Sequence, residues 1–204
     1  MTGLTLYGNN ISPFVRKVRV VLLETGQAED VEVVEMMGNA VDPSASLSNP
    51  NPLGKIPALA RPDGPTLHDS RVICRFLNAR AHAALYPEAR IWDVLTLEAL
   101  ADGILEAGVA MVYEERFREA AQVSAPWLEG QWAKIVRALD ALEARWMSQL
   151  SGPVDMGQIA VGCALGYLDL RHAGRDWRSG RGPLVAWEKR FADRPAMAAT
   201  QPVA

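Results

Sequence analysis

The stretch Asn51-Pro52-Leu53-Gly54-Lys55-Ile56-Pro57-Ala58-Leu59 decides the fold, because it sets a proline directly ahead of an apolar, strand-like run. A proline there removes a ladder donor, so it belongs at an edge, at a strand start or where something unusual is built. A cis Ile56-Pro57 bond would account for it. Such a bond turns the Ile56 N–H and C=O outward, so that an extended peptide can pair with them as an added strand. Lys55 beside it would neutralise a carboxylate of that peptide. An ordinary edge strand beginning at Pro57, next to an exposed lysine, is the other reading of the same residues.

Upstream, Leu4 to Gly8 alternates as a strand, Pro13 to Glu24 has a helical period, and Val31 to Met36 reads as a second strand. That is a βαβ start. A loop rich in Pro, Asn and Ser (Asp42 to Pro52) leads to two short apolar runs, Pro57 to Ala60 and Thr66 to His68. The turn-forming Pro62-Asp63-Gly64-Pro65 between them predicts a hairpin. Ser70 to Arg80 is helical, with Val72, Ile73, Phe76 and Leu77 in period, so the order is βαβ followed by ββα. Residues 1–80 thus form one expected domain, 81–88 a linker and 89–204 a second domain.

In that second stretch every long segment has a helical period. Leu97, Leu100, Ala101, Ile104, Gly108, Met111 and Val112 trace one face of a long helix. A second helix starts with Ser124 as N-cap and Pro126 in its first turn, carries Leu128, Trp132, Ile135, Leu139, Leu142 and Trp146, and is expected to lie antiparallel to the first. Met156 to about Arg171 is apolar nearly all round and predicts a buried central helix. Asp155 caps it, Gln158 is expected to reach back from the third position, and Val154 with Ile159 occupies the staple positions. A last short helix, Pro183 to Ala192, closes the domain.

Three segments carry chemistry. Ser12 stands where a strand ends and a helix begins, with Pro13 in the first turn. The unpaired N–H groups and positive dipole end there favour an anion such as a thiolate. A thiol with a pKa of about 8.5 becomes mostly thiolate when lowered by roughly two units, which takes about 2.7 kcal/mol. A hydroxyl donor plus a helix end supplies that order of energy, since bonds to charged groups give roughly 1.5–3 kcal/mol. Simple capping by Ser12 is the alternative. His68-Asp69-Ser70-Arg71 opens the helix after the hairpin, so the Ser70 N–H and hydroxyl would take a carboxylate and Asp69 an ammonium. Asp-Ser ahead of a helix is also what a plain cap looks like.

Taken together and in this order, these segments resemble the cytosolic glutathione transferase family, and Ser-Pro-Phe-Val-Arg-Lys-Val, Asn-Pro-Leu-Gly-Lys-Ile-Pro and Asp-Ser look like its bacterial serine-type branch. Glu98-Ala99-Leu100-Ala101-Asp102-Gly103-Ile104 is similar to the same branch. The resemblance implies an α/β thioredoxin-like N-terminal domain, an all-α C-terminal domain and glutathione as co-substrate. It implies Ser12 as the thiol-activating hydroxyl, Phe14 beside it, Ile56 with Pro57 on the cysteinyl backbone, Lys55 on the glycyl carboxylate, and Asp69 with Ser70 on the γ-glutamyl end. A homodimer is implied too, in which Asp102 reaches the partner's ligand. Glu98, Asp102 and Glu106, four apart, form an acidic stripe of the kind that usually faces solvent. Tyr7 ranks well below Ser12 as the thiol's partner.

The implied reaction is attack of glutathione thiolate on a hydrophobic electrophile, with Met111, Tyr113 and Trp177 as candidates for that pocket. A non-catalytic binding or regulatory protein is the rival reading. Glutathione-dependent isomerisation, reduction or dehalogenation are further enzyme alternatives. Position 12 is Ser and no cysteine lies nearby, which disfavours a mixed-disulfide mechanism.

Bulk properties agree with a globular protein. The 204 residues are 49% hydrophobic and 22% charged with a net charge of −3, which gives no basic excess for nucleic acid. The N-terminus enters a strand without a signal-like segment, so the cytoplasm is the expected location. No apolar run has the length of a membrane span. Cys74 and Cys163 read as reduced core thiols, and His68, His82 and His172 lack metal-ligand spacing, so no metal is expected.

Overall fold

The computed structural model describes residues 3–37, 41 and 48–202. It divides into two compact units, one of Met1–Tyr86 with Ala199–Ala204 and one of Pro87–Ala198.

The first unit is built on a four-stranded sheet in the order β2-β1-β3-β4. Its elements are β1 (Leu4–Gly8), α1 (Pro13–Glu24), β2 (Val31–Glu35), β3 (Ala58–Arg61), β4 (Gly64–His68) and α2 (Ser70–Arg80). β1 runs parallel to β2, with Leu6 opposite Val33, while β3 is antiparallel to β1 and β4 to β3. That is the expected βαβ-ββα order. Alternation in β1 buries Leu4 and Leu6. Val15, Val18, Val21 and Leu22 of α1 are buried, as are Ile73, Cys74 and Leu77 of α2, at helical spacing, and the two helices pack together. The close fit of α1 on β1 depends on Gly8, where a Cβ would stand 2.5 Å from Val15 Cγ2 and 2.8 Å from Cγ1.

Several strand boundaries differ from expectation, β3 being shifted by one residue to Ala58–Arg61. β2 ends at Glu35, and β4 begins at Gly64, so Gly64 and Pro65 belong to the strand and only Pro62-Asp63 forms the turn. β4 is an edge strand, where a proline need not donate to an inner ladder. Residues 42–47 of the Pro/Asn/Ser-rich loop lie outside the described residues.

The second unit contains α3 (Ile91–Phe117), α4 (Ala125–Ala141), a π-helical turn over Leu142–Trp146, α5 (Met147–Leu150), α6 (Met156–Arg171), α7 (Gly182–Ala192) and, at its end, α8 (Pro195–Ala199). The expected single second helix is therefore interrupted by the π-turn, and α8 was not anticipated. Ser124 caps α4 by accepting the Trp127 N–H at 3.4 Å. α6 is buried on nearly every side and packs against α3. Asp155 caps α6, its Oδ1 accepting the Gln158 N–H at 3.1 Å, while Oδ2 takes the Gln149 side-chain amide at 3.1 Å and the Arg90 guanidinium at 3.5 Å. Gln158 does not reach back to the cap. Its amide instead donates to the carbonyls of Gln149, Gly152 and Pro153 at 3.0, 3.3 and 2.9 Å, because the turn ahead of α6 aims those acceptors at it.

The acidic stripe on α3 is another departure, since Glu98 and Asp102 are buried and only Glu106 is exposed. Leu97, Ala101 and Leu105 beside them are buried too, so this helix is enclosed on more than one face. No helix among the described residues is long and apolar enough to cross a membrane.

Candidate functional site

The sheet register brings the three expected segments to one end of the first unit. Tyr7 of β1 lies opposite Ala58 of β3, and Ala58 lies opposite His68 of β4. The chain therefore leaves β1 toward Ser12, enters β3 from Ile56-Pro57, and leaves β4 toward Asp69-Ser70, all at the same edge.

At the β1–α1 junction, Asn9 does what the sequence did not reveal. Buried at the strand end, its Oδ1 accepts the N–H groups of Ile11 and Ser12 at 3.1 and 2.9 Å, and its Nδ2 donates to the Met36 carbonyl at 2.9 Å. An asparagine just past a strand is the signal that could have shown it, through its habit of bonding backbone two residues on. Ser12 is extended and half-buried, and its Oγ accepts the Val15 N–H at 3.4 Å. Capping and thiol activation are thus compatible, because the hydroxyl accepts from the helix and retains its own proton to donate. Phe14 is half-buried on the first turn.

The Ile56-Pro57 peptide bond is cis. Its approach is held by two asparagines: Asn51 Nδ2 and Asn49 Nδ2 both donate to the Lys55 carbonyl, at 2.9 and 3.2 Å. Asn51 Oδ1 also accepts the Leu53 N–H at 3.0 Å, and Gly54 adopts φ 64° to close the turn. Lys55 is exposed, Ile56 half-buried and Pro57 buried. Among the described residues, none bonds the main-chain N–H or C=O of Ile56.

At the start of α2, Asp69 has φ 73°, a left-handed conformation that costs a non-glycine residue on the order of 1–3 kcal/mol. Its Oδ1 accepts the Arg71 N–H at 2.9 Å and Nε at 3.2 Å, and its Oδ2 accepts Arg71 Nη2 at 2.9 Å. The Arg71 guanidinium bond, aided by the Arg71 N–H and by the charges of Arg71 and Lys17, outweighs desolvation and holds the Asp69 carboxyl below its ordinary range. Asp69 therefore caps α2 as well as facing solvent. Ser70, 5% exposed, accepts a hydrogen bond from Lys17 Nζ at 3.4 Å. Lys17 is a second residue that the sequence did not disclose, since beside Arg16 it reads as ordinary helix surface, yet it is fully buried.

In the helical unit, Trp177 is enclosed, its indole N–H donating to Asp169 at 2.8 Å, and Met111 is buried as well. Of the three candidates for an electrophile pocket only Tyr113 is exposed, edge-on to Phe117 at 5.2 Å. Burial pushes the nearby Tyr167 phenol up to about 12 and lowers the His172 imidazole, whose Nε2 meets the Gly108 carbonyl at 3.0 Å. Asp102 is only 3% exposed and is not without a partner within the chain, so it is not presented as a free carboxylate. Among the described residues no group of His, Cys, Asp and Glu is arranged to hold a metal ion.

Sheet, helices and the open main-chain segment define the class as a thioredoxin-like unit followed by an all-helical one. Residues 11–80 match the family model of the glutathione S-transferase N-terminal domain, and residues 125–190 that of the glutathione S-transferase C-terminal domain. The chain is 36% identical over 204 residues, 98% of each chain, to the uncharacterized GST-like protein YibF of Escherichia coli (strain K12). A crystal structure of a glutathione transferase family member from Pseudomonas fluorescens Pf-5 with bound glutathione superimposes with a TM-score of 0.94 at 44% identity, over 99% of this chain and 100% of that one. The glutathione S-transferase of Methylobacillus flagellatus KT, with glutathione bound, gives 0.83 at 36% identity over 98% and 100%. The chain belongs to the glutathione S-transferase family.

Proposed function

We propose that this chain is a serine-type glutathione transferase that ionises the thiol of bound glutathione at Ser12 and presents it to a hydrophobic electrophile. The observation that carries this reading is the main chain of Ile56, unbonded among the described residues, at the sheet end that Ser12 and Ser70 also adjoin. Relatives of 44% and 36% identity that were solved with glutathione bound support it.

In this reading the cysteinyl backbone pairs with Ile56 against Pro57, Lys55 meets the glycyl carboxylate, and the γ-glutamyl end lies against Asp69 and Ser70. The Ser12 hydroxyl, accepting from the Val15 N–H, donates a hydrogen bond to the sulfur, and the positive dipole end of α1 adds its field. Phe14 flanks the same turn. Catalysis consists of a lowered thiol pKa and of proximity, with no covalent enzyme intermediate. Domain limits of 1–80 and 89–204, a cytoplasmic location and a homodimer belong to the same proposal. Asp102 as the residue that reaches the partner's ligand belongs to the same proposal.

The test is a glutathione titration followed by ultraviolet thiolate absorbance, wild type against Ser12→Ala. Wild type should show thiolate at neutral pH, and Ser12→Ala should raise the bound thiol's pKa by one to two units, about 1.4–2.7 kcal/mol. Turnover of a generic electrophile should fall by more than binding does. A bound thiol with the same pKa in both proteins would remove Ser12 from the mechanism. Binding without any ionisation would favour the non-catalytic reading.

A further inference from the structure

We propose that Lys17 is a positioning residue for the α-carboxylate of the γ-glutamyl group, acting from beneath Ser70. The proposal rests on the glutathione reading above and adds to it a residue that does not touch the ligand. Lys17 lies on α1, the helix that Ser12 opens, and is fully buried, with Nζ 3.4 Å from Ser70 Oγ.

An ammonium has three donors and no acceptor, so in this pair Ser70 must be the acceptor. A hydroxyl has a single proton. With a lone pair engaged from below, that proton is left to be donated on the other side. Ser70 is also the first residue of α2, so its N–H has no carbonyl within the helix, whereas the next N–H, of Arg71, is already taken by Asp69. Ser70 N–H and O–H are therefore two donors aimed at an acceptor, and Lys17 fixes the sense of the second.

The charge acts as well as the hydrogen bond. Lys17 has further interactions besides Ser70, and its charge contributes to holding Asp69 ionised. One buried cation thus bears on both groups assigned to the amino-acid end of the ligand. Behind a buried serine its field reaches an incoming carboxylate with less screening than that of a surface lysine. A neutral side chain of similar volume would fill the space and lack both effects.

The experiment measures dissociation constants by calorimetry for glutathione and for 4-aminobutyryl-cysteinyl-glycine, which lacks only the α-carboxylate. Wild type, Lys17→Met, Ser70→Ala and the double variant are compared. Lys17→Met should weaken glutathione about tenfold, equivalent to about 1.4 kcal/mol, and leave the analogue within about twofold. Ser70→Ala should show the same discrimination, and the double variant should be no worse than the weaker single variant. Equal weakening of both ligands would assign Lys17 to the architecture alone and overturn the proposal. So would an unchanged glutathione affinity in Lys17→Met. Should Lys17→Met fail to fold, Lys17→Gln decides: weakening of glutathione with the analogue left within about twofold upholds the proposal, and equal weakening of both ligands, or of neither, overturns it. A wild type that binds neither ligand refutes the glutathione reading itself, and this inference with it.

Discussion

Replacing Asp155 with alanine should destabilise the protein by about 2.5 kcal/mol. The carboxylate is fully buried, and each oxygen has work to do: Oδ1 caps α6 through the Gln158 N–H, and Oδ2 accepts the Gln149 amide. Loss of a cap costs about 1 kcal/mol. Loss of a hydrogen bond to a charged acceptor costs about 1.5–3 kcal/mol, here at the lower end because Gln149 is half-buried and finds water. The Arg90 contact adds little, being 3.5 Å long from a guanidinium that is 37% exposed. For a chain of this size the total lowers Tm by about 5–10 °C. Asp155→Asn keeps an oxygen on the Gln158 N–H and should cost less than about 1.5 kcal/mol. Urea unfolding followed by far-ultraviolet circular dichroism gives both values. An alanine variant within about 0.5 kcal/mol of wild type, or an asparagine variant as costly as alanine, would refute the assignment of stability to this cap.

Two further outcomes follow from the packing and the electrostatics. Gly8→Ala should cost about 1–3 kcal/mol, because its methyl group would lie inside contact distance of Val15, and Val15→Ala in the same chain should recover part of that loss in urea titrations. Burial lowers the His172 pKa from 6.5, so on acidification the unfolded chain takes up this proton before the folded chain does. Its contribution to stability is present above the ordinary imidazole value of about 6.5 and is lost as the pH falls below that toward the lower folded value, so Tm should drop on acidification below about pH 6.5, less steeply in His172→Gln. An identical slope in the two proteins would show that other groups govern the acid limb.

Where punctuating residues stand at element ends, the sequence could be read closely. Ser12-Pro13 and Asp69-Ser70 mark the starts of α1 and α2, and both helices span the residues expected. Gly64-Pro65 misled, because turn chemistry and edge-strand tolerance use the same residues and only the sheet order separates them. The π-turn was invisible since Leu139, Leu142 and Trp146 keep a helical spacing across it, so one wide turn leaves no mark on the pattern. Five-residue α8 is too short to carry a period.

In the candidate site, Ser12, Ile56, Asp69 and Ser70 could be named because each stands at a chain reversal with its own local signature. Asn9, Asn51 and Lys17 could not. Asn51 bonds Leu53 and Lys55 within its own turn, while Asn9 and Lys17 reach a carbonyl and a hydroxyl on another segment, and a polar residue buried by tertiary structure has the same letter as one in water. Glu98 and Asp102 failed to be placed for the same reason.

Both cysteines are closed off from solvent, each at 0% exposure on an inward helix face. Under the proposed function, a protein that handles electrophiles is itself a target for them, and its most nucleophilic native atom would be the first casualty. With Cys74 and Cys163 shielded inside packed helices, the sulfur exposed to reaction under the proposed function would be the one delivered by the ligand, and the protein would meet its substrates without consuming itself.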